Sequence, residues 1–261
     1  MAGRLAGKVA LVTGAGSSGP GVGNGKATAI LFAREGARVV CVDNVRERAE
    51  ETAALIRSEN GEAIALAADV TNKEDCTRMV AGAVERYGRL DILHNNVGIT
   101  SSSGIQDLTE AEWDRVLAVD LKSAALASQA ALPHLIAAGG GAILFVSSIT
   151  GFRYAGGVGS TAYAAAKAGL LGLTVSLAGQ LAEHRIRVNA IAPGLVYTPL
   201  VAGAMSPEVR ERRRRAGLIP DEGTAWDVAW AAVFLASDEA RWVTGQVLMV
   251  DGGLSITTRS S

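Results

Sequence analysis

Cysteine is scarce in this chain. There are two, Cys41 and Cys76, in no metal-ligand spacing. Cys41 lies in an apolar stretch and reads as a small buried hydrophobe, so reduced thiols and a cytoplasmic setting are expected. The three histidines, His94, His134 and His184, form no ligand pattern either, and no metal is expected. Neither sign of charge dominates: the formal net charge is −1, which favours neither a nucleic acid nor an acidic membrane as partner. No uninterrupted apolar run reaches the ~20 residues of a membrane span. No long apolar core follows Met1, as a signal peptide would require. Prolines number only six, which with 49% hydrophobic residues excludes disorder. The 261 residues suit one large α/β domain, 1–261, better than two small ones.

What is present is alternation. Short apolar runs at 8–13, 38–43, 63–67, 91–95, 142–147, 187–191 and 246–250 read as strands. Helical patterns at 26–35, 45–60, 72–87, 109–138 (one helix or two), 162–183 and 225–237 lie between them. Strand–helix–strand units predict a Rossmann-like, doubly wound, mostly parallel sheet of about seven strands with helices on both faces. Residues 199–222 mix Pro, Gly and Arg without a clear strand, and read as an insertion or lid.

Residues 13–25, TGAGSSGPGVGNG, connect the first strand to its helix. That context is the one a dinucleotide fingerprint requires. Glycines let a backbone approach a pyrophosphate, and a helix N-terminus adds partial positive charge. The literal match on Gly14, Gly16 and Gly19 is set aside. With the helix expected from Lys26, Gly23 and Gly25 are the pair nearest it, and 17–22 are extra residues. Gly14, Ser17, Gly23 and Asn24 are the candidates for contact with a cofactor; the bland reading is a flexible surface loop. Asp43 ends the second strand, where a carboxylate accepts ribose hydroxyls and repels a 2′-phosphate. NAD is therefore favoured over NADP, although Arg46 and Arg48 nearby weaken that exclusion. A plain helix cap is the competing role for Asp43. Asp69 and Val70, after the third strand, are placed to hold an adenine edge; a turn-forming Asp is the alternative.

Tyr163 and Lys167 are four apart on an Ala-rich helix and share a face. Alone, such a pair is usually a half-buried aromatic and a snorkelling cation. Beside a nicotinamide it is a tuned acid/base, because an ammonium favours the phenolate. Moving a phenol from ~10 to ~7 takes about 4 kcal/mol.

With Thr13-Gly14, Asp43, the 95–98 NNVG run, Ser148, Tyr163/Lys167 and Pro193-Gly194 in this order, the chain resembles the short-chain dehydrogenase/reductase family from about Leu5 to Leu254. The resemblance implies a nicotinamide cofactor. It makes Tyr163 the general acid/base, Lys167 the ribose-binding group that lowers the tyrosine's pKa, and Ser148 the group that orients substrate. It puts Asn95 at the fourth strand and the cofactor, and Val196 and Thr198 against the carboxamide. It also implies self-association, commonly as a tetramer. The chain departs from the family pattern in three places. The glycine loop is long. The segment from serine to tyrosine is also long, so Ser147 rivals Ser148. Asp120 stands where the family usually has a catalytic Asn, and is kept as a candidate relay residue.

The expected function is an oxidoreductase moving hydride between NAD(H) and a secondary alcohol or ketone; a catalytically silent NAD(H) sensor is the alternative. The run 208–215, EVRERRRR, reads as a solvated helix face. A sharper reading puts one of its arginines over the active site to grip an anionic substrate. Arg153, Tyr154, Tyr197 and Met205 are further residues that either border the substrate or pack.

Overall fold

In the computed structural model, residues 3–101, 103–154, 161–203 and 205–257 are described. Seven strands form one sheet in the order β3-β2-β1-β4-β5-β6-β7, with every pair parallel. They are β1 Val9–Thr13, β2 Arg38–Asp43, β3 Ala63–Ala67, β4 Ile92–Asn95, β5 Gly141–Val146, β6 Ile186–Pro193 and β7 Val247–Val250. The helices are α1 Asn24–Arg34, α2 Arg46–Ser58, α3 Lys73–Tyr87, α4 Glu110–Leu117, α5 Ser123–Ala137, α6 Thr161–Leu181, α7 Pro199–Ala202, α8 Pro207–Ala216 and α9 Ala225–Ala236. The predicted alternation is thus observed, and the mostly parallel sheet is wholly parallel.

Successive strand side chains point to opposite faces, which builds two cores. Ala10, Val12, Val39 and Cys41 join one core with α1 and α9. Val9, Leu11, Val40 and Val42 join the other with α3, α5 and α6. Strands covered on both sides need no polar face, which is why they read as continuous apolar runs. Helix α6 with its following turn, Thr161–His184, is long and apolar enough by length and composition to cross a membrane. It is a core helix, with Leu170, Thr174, Ala178 and Leu181 buried against the sheet.

The 109–138 segment forms two helices, α4 and α5. A widened π turn over Ala118–Lys122 joins them, with Ser123 N–H bonded to Ala118 O. The 199–222 segment, expected as an insertion without a strand, folds as α7 and α8. Ser206 caps α8 by accepting the Val209 N–H at 3.3 Å. Strand order changes direction between β1 and β4, so their carboxyl ends splay and open a crevice.

Candidate active site

A cavity of about 1050 Å³ occupies that crevice. Its floor is the glycine loop. Gly14 has φ +63°, a conformation that favours glycine. Its carbonyl accepts the Asn96 amide at 3.1 Å, which pins the loop to the end of β4. A Cβ on Gly25 would fall 2.0 Å from Gly14 O, and one on Gly16 would fall 2.7 Å from Asp43 Oδ2. Gly25 thus packs on backbone and Gly16 on the side chains of Arg48 and Asp43, where a pyrophosphate would need to approach. Helix α1 begins at Asn24, two residues before the expected Lys26. Gly23 is its N-cap, and no side chain caps it. Ser17 Oγ accepts the Gly23 N–H at 3.1 Å and so closes the extra residues into a turn. Asn24 lines the cavity, and its Oδ1 is buried without a partner. On the far side, a Cβ added to Gly21 would lie 3.5 Å from Pro199 Cγ, so the long loop and the head of α7 nearly meet.

Asp43 accepts the Gly16 N–H at 3.2 Å through Oδ2 and the Val45 N–H at 3.0 Å through Oδ1. The carboxylate thus anchors the glycine loop and the entry to α2, whose N-cap is Val45 and not Asp43. Each carboxylate oxygen keeps further acceptor capacity for a ligand. Arg48 lines the cavity beside it. Asp69 makes the turn of the alternative reading, since its Oδ1 accepts both Thr71 N–H at 2.9 Å and Thr71 Oγ at 2.7 Å. Asp69 and Val70 also line the cavity. Asn95 stands behind the wall. It is buried and donates from Nδ2 to Leu144 O at 3.4 Å, inside the sheet. The wall itself is made by Asn96, Val97 and Gly98. Asn96 is the contact that sequence reading passed over in favour of its neighbour.

Tyr163, Ser148 and Lys167 meet on the opposite wall. Lys167 is buried, and its Nζ sits 5.4 Å from the centroid of the Tyr163 ring. The same ammonium donates to Val146 O at 3.1 Å and pairs with Asp120 Oδ2 at 3.2 Å. The other oxygen, Asp120 Oδ1, accepts the Ile99 N–H at 2.8 Å. The π turn carries Asp120 inward to this position. Burial pushes the Asp120 carboxyl above the usual range, while Lys167 and the Ile99 N–H pull it back. A Cβ at Gly98 would lie 3.0 Å from both Asp120 Oδ2 and Lys167 Nζ, so glycine there makes room for the pair.

The two serines separate by alternation. Ser147 is buried and its hydroxyl donates to Lys167 O at 2.8 Å, tying β5 to α6. Ser148 accepts the Thr150 N–H at 3.2 Å, leaving its own proton for a ligand. Part of the longer segment that follows, 155–160, lies outside the described residues. Thr150, which sequence reading did not single out, lines the cavity with its Oγ1 buried and unpartnered.

Val196 and Thr198 form the third wall, with Met205 above them. Of the other proposed border residues, Arg153 bonds to Leu254 O, Tyr154 is 84% exposed, and Tyr197 lies under Arg210, 3.8 Å from guanidinium to ring centre.

Residues 21–255 match the sequence family described as enoyl-(acyl carrier protein) reductase. A crystal structure from Burkholderia xenovorans, described as a short-chain dehydrogenase/reductase, superposes with a TM-score of 0.94. It is 44% identical and covers 99% of this chain and 100% of its own. The chain belongs to the short-chain dehydrogenase/reductase family. Within that family it is 40% identical to 3-oxoacyl-(acyl-carrier-protein) reductase FabG of Thermotoga maritima, over 97% of this chain and 100% of the relative. It is also similar to a 7α-hydroxysteroid dehydrogenase complexed with NADH and 7-oxo glycochenodeoxycholic acid. That structure has a TM-score of 0.89 and 35% identity, over 96% and 95% of the two chains. As a short-chain dehydrogenase/reductase, the protein is an oxidoreductase of alcohols and ketones that uses NAD(P)(H).

Proposed function

We propose that the protein moves hydride between NAD(H) and a secondary alcohol or ketone, with Tyr163 as general acid/base. The observation that carries this reading is the Lys167 ammonium, buried and held 5.4 Å over the Tyr163 ring, on the same cavity as the glycine cradle. The residues present fit a pyridine dinucleotide. Gly14, Ser17, Gly23 and Asn24, with the uncapped α1 terminus, would hold the pyrophosphate. Asp43 would take the adenosine ribose, Asp69 and Val70 the adenine edge, and Val196 and Thr198 the carboxamide. Asn95 would act from behind by holding β4 to β5.

When bound, the nicotinamide accepts or supplies hydride at C4. In oxidation Tyr163 Oη takes the substrate hydroxyl proton as the carbinol hydride leaves and the C=O bond forms. In reduction the same oxygen returns the proton. Ser148 donates a hydrogen bond to the substrate oxygen and fixes its distance from Tyr163. Lys167 supplies the positive charge that stabilises the phenolate between the two steps. Asp120 and Val146 O hold that ammonium in place.

Asp43 supports NAD over NADP, because a second anion at its carboxylate is repelled. Arg48 is the group a 2′-phosphate would seek instead. Residues 199–222 serve as the substrate lid of a single domain. Self-association as a tetramer is supported by the open face of α6. There Val175 is 62% exposed, and a Cβ on Gly172 or Gly179 would meet nothing.

The test is Tyr163→Phe, assayed with NADH and NADPH against a ketone panel beside wild type. Turnover falls by about 10²- to 10⁴-fold, while NADH affinity, read by fluorescence, is kept. Unchanged turnover sinks the assignment, and a wild-type preference for NADPH sinks the cofactor choice.

A further inference from the structure

Helix α8 carries five arginines, and their partners divide them. Arg210 takes Glu222 at 2.7 Å. Arg214 and Arg215 both take Glu211, at 2.7 and 2.5 Å. These are the solvated pairs expected of a charged helix face, and they spread over its outer side. Arg212 and Arg213 differ. Among the described residues, neither has a carboxylate within ion-pair distance, and both line the cavity that holds Tyr163 and Ser148.

Arg213 is half-buried. Among the described residues it makes one hydrogen bond, a long one, 3.4 Å from Nη2 to Val196 O. A guanidinium carries five N–H donors in a fork that matches a carboxylate, so most of that capacity faces the cavity unused. Burial pushes the Arg213 guanidinium down from its usual range, and the more distant Glu222 charge acts the other way. Withdrawing a cation from water without a counterion costs folding free energy, and a bound anion offsets that cost. Arg212 sits exposed at the lip of the same wall, where a second positive charge draws anions inward. Met205 and Val209 lie beside the two arginines and offer an apolar surface to a carbon skeleton.

Resting on the oxidoreductase reading above, we infer that Arg213, assisted by Arg212, binds a carboxylate on the substrate, which makes the protein a dehydrogenase of hydroxy acids and a reductase of oxo acids. The other anion within this cavity would be the cofactor diphosphate. Its donors are already present on the opposite side, in the glycine loop and the α1 terminus. Arg213 lies instead on the wall of Val196, the residue proposed above to meet the carboxamide. Its part is recognition. Tyr163 and Ser148 remain the groups at the reacting oxygen.

The test uses matched pairs of probes: open-chain and cyclic oxo acids, and the methyl ester of each. Wild type reduces the acids at least about tenfold better than the esters in kcat/KM, the scale of one hydrogen bond to a charged group. In Arg213→Met that preference falls by about 10- to 100-fold through a raised KM for the acids. Ester turnover and NADH affinity are unchanged. Arg213→Lys keeps the charge without the fork and falls between the two. Equal wild-type turnover of acids and esters overturns the inference and leaves the oxidoreductase reading standing. A loss of NADH affinity in Arg213→Met that matches the loss on acids also overturns it, by giving Arg213 to the cofactor. No turnover of any pair overturns the inference, and the ketone panel above then decides the oxidoreductase reading separately. Should Arg213→Met fail to fold, the wild-type acid-to-ester ratio decides alone.

Discussion

At the scale of single residues, the proposed acid/base chemistry rests on which groups neutralise Lys167. An ionised Asp120 offsets part of the ammonium charge that stabilises a Tyr163 phenolate. Asp120→Asn removes that offset and keeps the Ile99 N–H acceptor. The rising limb of the pH–rate profile for alcohol oxidation is expected to move to lower pH, by on the order of one unit. A limb that stays in place, or moves up, excludes charge compensation as the role of this carboxylate. Asp120 was legible in the sequence as a departure, but the π turn that delivers it was not, because a widened turn leaves no mark in apolar periodicity. Ser147 and Ser148 were left as rivals for a similar reason. They differ in which way a strand end points, and the hydrogen bond that Ser147 gives to Lys167 O supports Ser148. The run 212–215 hid its own division, since four identical side chains carry no phase until the helix is docked.

Among elements, the strands were the most legible. Buried on both faces, each declares itself as an apolar run, whatever its neighbours. Helix starts were less so: α1 begins at Asn24 because Gly23 serves as its N-cap, and no side-chain cap marks the place. The junction of that helix with β1 is where close packing matters most. Gly25→Ala places a methyl 2.0 Å from Gly14 O, in backbone that cannot yield as a flexible side chain would. The loop must shift, and with it the N–H groups that face the cavity. NADH affinity is expected to fall by at least about tenfold while the far-UV circular dichroism stays native. Wild-type affinity in this variant would show that the cradle is not where the dinucleotide binds.

For the whole molecule, the parallel sheet sets a pH limit as well as a site. His94, in β4, is fully buried against the edge of Phe32, with both ring nitrogens unpartnered. Burial pushes its pKa from 6.5 down to about 3. Because the folded value is depressed, the unfolded chain binds this proton first as pH falls. Full stability is therefore present above about pH 6.5 and drains away toward pH 3. Between pH 6.5 and 4.5 the loss from this one ring is about 2–3 kcal/mol. Urea unfolding of wild type and His94→Leu at the two pH values measures it: the variant should lose less by roughly that amount. Equal losses would show that His94 takes up its proton to the same extent in the folded and the unfolded chain. That His94 has no hydrogen-bond partner was not legible in the sequence, because it depends on which side chains surround it in three dimensions.

Pro199 and the long glycine loop bring two segments nearly two hundred residues apart close together at the cavity. On the dinucleotide reading proposed above, that approach favours a nucleotide that arrives before the substrate and leaves after its product.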